Sequence, residues 1–83
     1  MVAVARPGLP HVVLAAVKRV NQRRGLAGVV PRDAVLRETR ETIGDPTLTE
    51  AELTCALEFL RGATLVKLPS PRLVVWTPHE DLL

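Results

Sequence analysis

A chain of 83 residues, 47% of them hydrophobic, suffices for one small domain and is too short for two. Phe59 and Trp76 are its only aromatics and Cys55 its only cysteine, so the core must be aliphatic, and an internal disulfide or a cysteine-based zinc site is excluded. The formal net charge of +2 is unevenly divided: up to Gly44 eight Lys or Arg face three acids, net +5, and from Asp45 onward three face six, net −3.

The longest purely apolar run covers residues 12–17, far below the roughly 18 residues a membrane span needs. No small-residue cleavage site follows it, so it does not read as a signal peptide. With a lone cysteine, the expectation is an intracellular protein, in cytoplasm, nucleoid or nucleus.

Residues 1–8, with Arg6, lack periodicity and read as a flexible tail. The first helix is expected to open near Pro10, since proline is tolerated at the first helical position. Leu9, Val12, Val13, Ala16, Val17 and Val20 follow the helical repeat, with Lys18, Arg19, Gln22 and Arg23 opposite. Arg23 and Arg24 suit the dipole of the last turn, and Gly25 stops the helix. The connector Leu26-Ala27-Gly28-Val29-Val30 can add one small strand to a later hairpin. Pro31 opens the second helix, with Val35, Leu36 and Ile43 inward, Arg37, Glu38, Arg40 and Glu41 outward, and Gly44 at its end. Asp45-Pro46-Thr47 is turn chemistry.

Thr49 reads as the N-cap of the third helix, and Glu52 completes a capping box, with Leu48 and Leu53 at the staple positions. Leu53, Ala56, Leu57 and Leu60 form one buried helical face, and Gly62 is expected to end it in the left-handed conformation. The period then changes to two. Ala63-Thr64-Leu65-Val66-Lys67-Leu68 and Arg72-Leu73-Val74-Val75-Trp76-Thr77 predict a hairpin turned by Pro69-Ser70-Pro71, and Pro78 closes the last strand. Residues 79–83 form a short acidic tail.

The predicted fold class is thus α+β, three helices plus a small antiparallel hairpin with a possible third strand, over residues 9–78. This order resembles the winged-helix family. Val30-Pro31-Arg32 opening the second helix, Leu48-Thr49-Glu50-Ala51-Glu52-Leu53 opening the third, and Gly62-Ala63-Thr64-Leu65-Val66-Lys67 leading into the hairpin are similar to the small C-terminal winged helix of archaeal and eukaryotic minichromosome maintenance helicases. The resemblance implies a regulatory role beside a motor in DNA replication or transcription, without a motor's own chemistry.

Base reading in a groove needs Arg, Lys, Asn or Gln on the outward face of the inserted helix. The outward arc of the third helix holds Ala51, Cys55 and Glu58, flanked by Thr54, Glu52 and Phe59, with no cation or amide. Its carboxylates repel a phosphate backbone. The cations lie elsewhere: Lys18, Arg19, Arg23, Arg24, Arg37 and Arg40 on the first two helices, with Arg37 and Glu41 spaced to pair. Lys67 and Arg72 flank the wing turn. The expected DNA contact is through phosphates by Lys18, Arg19, Arg23, Arg24, Arg40, Lys67 and Arg72, with dissociation constants of about 10⁻⁴–10⁻⁶ M. Ala51, Cys55, Glu58 and Phe59 form the expected docking face for a protein partner, since an apolar patch rimmed by charge marks a contact site; the alternative is that Phe59 folds back onto the second helix or the hairpin.

Catalysis finds no support. His11 and His79 lack a spaced metal-ligand set, Ser70 lacks a base, and no phosphate-cradling glycine motif occurs. The expectation is a non-catalytic module, free of cofactor and small-molecule substrate, that docks a protein in a DNA-handling assembly. The alternative is a sequence-specific transcriptional regulator reading DNA with the third helix and wing.

Overall fold

The computed structural model describes residues 8–76. The expectations for Arg6 and the first tail, for Thr77 and Pro78 at the strand end, and for residues 79–83 lie outside the described residues. The elements run α1 (Leu9–Arg24), β1 (Val29–Pro31), α2 (Arg32–Ile43), α3 (Glu50–Gly62), β2 (Val66–Ser70) and β3 (Leu73–Trp76). The fold is α+β, with three helices against a three-stranded antiparallel sheet of order β1-β3-β2.

α1 packs against α2, α3, β1 and β3, so its apolar stripe is wide. Leu9, Val13, Ala16, Val17 and Val20 are buried as their spacing predicts, but the stripe extends past Val17 to Leu14 and leaves Val12 half-buried. On α2, Val35 is fully buried, Leu36 and Ile43 are half-buried, and Ala34, Glu38 and Thr39 complete the inner side. Glu38 therefore points inward, contrary to the expectation from its helical position. Pro31 is the last residue of β1 and stands at the N-cap of α2, because Arg32 N donates to the Arg72 carbonyl at 2.8 Å and ties the helix start to the hairpin turn.

α3 begins as its sequence dictates. Thr49 Oγ1 accepts from Glu52 N, and Glu52 Oε1 accepts from Thr49 N, both at 3.1 Å. Leu48 and Leu53, on either side of the cap, are fully buried, as are Leu57 and, nearly so, Ala56 and Leu60.

The other end of α3 departs from expectation. Gly62 is still helical, and the left-handed residue is Thr64, at φ 62°. Thr64 N donates to Arg61 O at 3.0 Å and Leu65 N to Leu60 O at 2.9 Å, the paired bonds of a Schellman motif. α1 and α2 end in the same pattern with Gly25 and Gly44 at the left-handed place. Only α3 forces a β-branched residue there, with its Cβ close to the backbone. This turn occupies residues 63–65, so β2 starts at Val66, later than the apolar run suggests.

Pro69 and Ser70 likewise belong to β2, and the turn narrows to Pro71-Arg72, with Ser70 paired to Leu73 and a register shift between Lys67 and Ser70. A bulge there accommodates Pro69, which has no N–H to offer the ladder. β3 is central, pairing Val30 with Val74 on one side and Val66 with Trp76 on the other. Val30, Val66 and Val74 face the core at 1% exposure or less. The connector strand anticipated beside the hairpin is thus real. It is anchored at Gly28, whose N–H donates to Asn21 Oδ1 and whose carbonyl accepts from Trp76 N, both at 2.8 Å.

Gly28 has φ 90°, and a Cβ there would stand 2.7 Å from the Trp76 carbonyl oxygen, so Gly28→Ala is expected to lower stability by about 2–3 kcal/mol in urea unfolding. Thr64→Gly removes the left-handed penalty and is expected to raise stability by about 1 kcal/mol, a gain of roughly 4–8 °C in Tm. A neutral or destabilising result would remove the assignment of strain to Thr64.

Candidate functional site

Glu38 decides what the basic helices can offer. It is 7% exposed, and its two carboxylate oxygens are gripped from one side by arginines a turn apart on α1. Arg19 Nε lies 3.0 Å from Oε2, and Arg23 Nη1 lies 2.9 Å from Oε1. Arg19 Nη2 also donates to Thr42 Oγ1 at 3.3 Å. The Glu38 hydrogen bond first, and its charge second, raise the Arg23 guanidinium above its ordinary pKa, so it stays charged at any working pH. The outer nitrogens of both arginines remain at the surface, but their charge is largely matched by an acid held beneath them.

Arg40 is also structural. Its Nε and Nη2 both donate to the Leu48 carbonyl, at 2.9 and 2.7 Å, which holds the turn between α2 and α3. Lys18 places Nζ 5.6 Å from the centroid of the Trp76 ring, within cation–π range. Of the seven residues expected to meet phosphates, Arg24, Lys67 and Arg72 are exposed with no side-chain hydrogen bond or ion pair among the described residues. Arg37 is in the same state, so its expected pairing with Glu41 is not formed. These four cations are spread over the end of α1, the middle of α2 and the hairpin.

The outward face of α3 is uncovered. Ala51, Cys55 and Glu58 are exposed, and Phe59 has 65% of its surface open to solvent, the largest exposed apolar side chain of the described residues. At that exposure Phe59 is not covered by α2 or the hairpin. Glu52, expected on the flank, is instead buried in the capping box.

The remaining carboxylates of α3 are matched by arginines. Glu58 Oε1 lies 2.8 Å from Arg61 Nε and 2.7 Å from its Nη2. Glu50 Oε1 lies 3.6 Å from Arg32 Nε, and Arg32 also donates to Thr54 Oγ1. Arg32 is not among the binding residues expected from the sequence, yet its side chain is only 17% exposed and crosses from α2 to α3. Its legible signal is the four-residue step between Glu50 and Thr54, which puts two acceptors on one flank of α3. The surface around Phe59 is therefore balanced in charge, where the sequence implied a plainly acidic one.

Arg32, Asp33, Leu36, Glu50, Pro71 and Arg72 line an open cleft of about 430 Å³ between the starts of α2 and α3 and the hairpin turn. It mixes two cations with two anions and lacks a nucleophile–base pair. Among the described residues no three His, Cys, Asp or Glu side chains stand together as a metal set, and His11 is a surface residue. No described helix is long and apolar enough to cross a membrane.

Glu38→Gln keeps the shape of the side chain but removes the charge that both arginines share. It is expected to lower stability by about 1–2 kcal/mol in denaturant unfolding, with the loss diminishing when Arg19 and Arg23 are also replaced by Gln. Additive losses would show that the three residues do not act together. Compared with protein-family models, curated proteins and solved structures, the chain gives no significant match, so its function rests on its own residues.

Proposed function

We propose that this chain is a winged-helix module of a DNA replication or transcription assembly, which docks a protein through α3 and touches DNA only weakly. The element order α1-β1-α2-α3-β2-β3, with the hairpin as wing, supports the family reading. The observation that carries the function is Phe59, 65% exposed on a stripe with Ala51 and Cys55 and rimmed by Glu58. An open aromatic amid small residues is the anchor type that contributes most to protein interfaces.

Against groove reading, α3 offers no unengaged base-reading side chain: Arg61 is held by Glu58 and Thr54 by Arg32. The alternative, a sequence-specific regulator, gains one point, because Arg32 and Arg61 offset the repulsion of Glu50 and Glu58. It still lacks the donors. Arg24, Lys67 and Arg72 suit phosphate oxygens, giving binding without sequence preference.

Fluorescence anisotropy with a labelled duplex and its scrambled counterpart tests the DNA side. Both are expected to bind with a dissociation constant of about 10⁻⁵ M or weaker at physiological salt, with a log–log salt slope of about −3. Lys67→Ala with Arg72→Ala is expected to reduce that slope by about 2. Nanomolar binding that prefers one sequence would overturn the reading in favour of the regulator. For the docking side, Phe59→Ala is expected to lose the protein partners that the native chain retains in a pull-down. Unchanged retention would remove α3 as the docking face.

A further inference from the structure

We propose that the partner on α3 is a second copy of this chain, packed antiparallel across a two-fold axis at Cys55. This rests on the docking reading of α3 and names its occupant. Ala51, Cys55 and Phe59 recur every fourth residue and all are exposed, so they form one straight stripe. The stripe is symmetric in spacing about Cys55. A two-fold axis through Cys55 therefore sets each Ala51 opposite the other copy's Phe59, a small side chain facing a large one, at both ends of the contact. The smallness of Ala51 and Cys55 permits close approach of the helices, and Gly62 and Ala63, also exposed, leave room beyond Phe59.

The flanking charges point to the same occupant. Glu50, Thr54, Glu58 and Arg61 run along one flank of the stripe, with Arg32 reaching Glu50 and Thr54. Two-fold rotation about an axis normal to the helices keeps that flank on the same side in both copies. Glu50 and Arg61 lie on opposite sides of Cys55 and differ by one residue in their distance from it, about 1.5 Å along a helix. Each Arg61 thus lies beside Glu50 of the second copy, while each Glu58 faces the stretch of the second copy's flank where Arg32 reaches Glu50 and Thr54. The flank is neutral and alternates in sign, so it complements itself, whereas a uniformly acidic or basic partner would meet one repulsive half.

One face of a helix of this length buries less than the roughly 800 Å² per partner of a standard stable complex, so the expected dimer is weak, with a dissociation constant of about 10⁻⁵–10⁻³ M. Facing Cα atoms of helices packed 8–10 Å apart stand about 3.4–5.4 Å from one another, overlapping the range a disulfide spans. The axis position can therefore be read chemically. Diamide oxidises two thiols to one disulfide, accepting their two hydrogens and two electrons to become the hydrazine.

Sedimentation of the full chain under reducing conditions, from about 10 µM to about 1 mM, is expected to show the average mass rising from 9.1 kDa toward twice that value. Phe59→Ala is expected to weaken association at least tenfold with unchanged circular dichroism. Glu50→Arg and Arg61→Glu should each weaken it, and the double variant should restore it. Brief diamide treatment should cross-link the native chain, but not Cys55→Ser, and Phe59→Ala only slowly. A monomer throughout the range, a double variant no better than the single ones, or equal cross-linking of Phe59→Ala would each overturn the proposal. A persistent monomer whose Phe59→Ala variant still loses other proteins would sink the self-association alone. Loss of no association at all in that variant would sink the docking reading with it.

Discussion

The structure depends on how Leu48 is held. Its side chain is fully buried, its carbonyl accepts two hydrogen bonds from Arg40, and the next residue caps α3. Asp45 Oδ1 accepts from Thr47 N at 2.9 Å and stiffens the approach to it. With one end in the core and the other clamped to α2, the start of α3 can neither slide nor roll. That single constraint puts Leu53, Ala56, Leu57 and Leu60 against α1 and the sheet, and it leaves Ala51, Cys55 and Phe59 outside. In a small aliphatic core without aromatic bulk, polar clamps of this kind define which of several similar packings is adopted.

The same economy of side chains governs the charges. A positively charged first half suggests a polyanion as partner, but Arg19, Arg23, Arg32 and Arg40 among its cations serve the fold. Arg19 and Arg23 hold Glu38, and Arg40 holds Leu48. On α3 the exposed carboxylates are offset by Arg32 and Arg61, so the face that sequence composition marks as acidic presents mixed, locally cancelling charge. Formal charge by segment overstates the electrostatic field a partner meets, because opposite charges within about 4 Å are felt from outside as a dipole. What remains distinctive on α3 is apolar, and Phe59 is the centre of it.

Much of the architecture was legible as sequence because its signals are local. The repeat of Val13, Ala16, Val17 and Val20, the Thr49–Glu52 box with its staple, and Gly25 and Gly44 at helix ends each involve residues three or four apart. The exposure of Ala51 and Cys55 was legible for the same reason, as the complement of a buried helical face, whereas the sequence left Phe59 free to fold back onto α2 or the hairpin and only the structure leaves it open. Where a local rule failed, another local geometry had taken over: the Schellman turn at Thr64 extended the chain past Gly62, and the bulge near Pro69 moved the hairpin tip toward Arg72.

The sequence by itself therefore determined the number, type and approximate limits of the elements, and which face of each is apolar. Only the tertiary structure decided which charged residues are available to a partner. Glu38 meets Arg19 and Arg23 across two helices, and Arg32 meets Glu50 and Thr54 across a turn, at separations of 15 to 22 residues where no periodicity connects them. A carboxylate on the edge of a helical stripe is outward or inward according to what the neighbouring helix sets beside it. For Glu38 that neighbour is a pair of guanidinium groups, which make burial of the charge favourable.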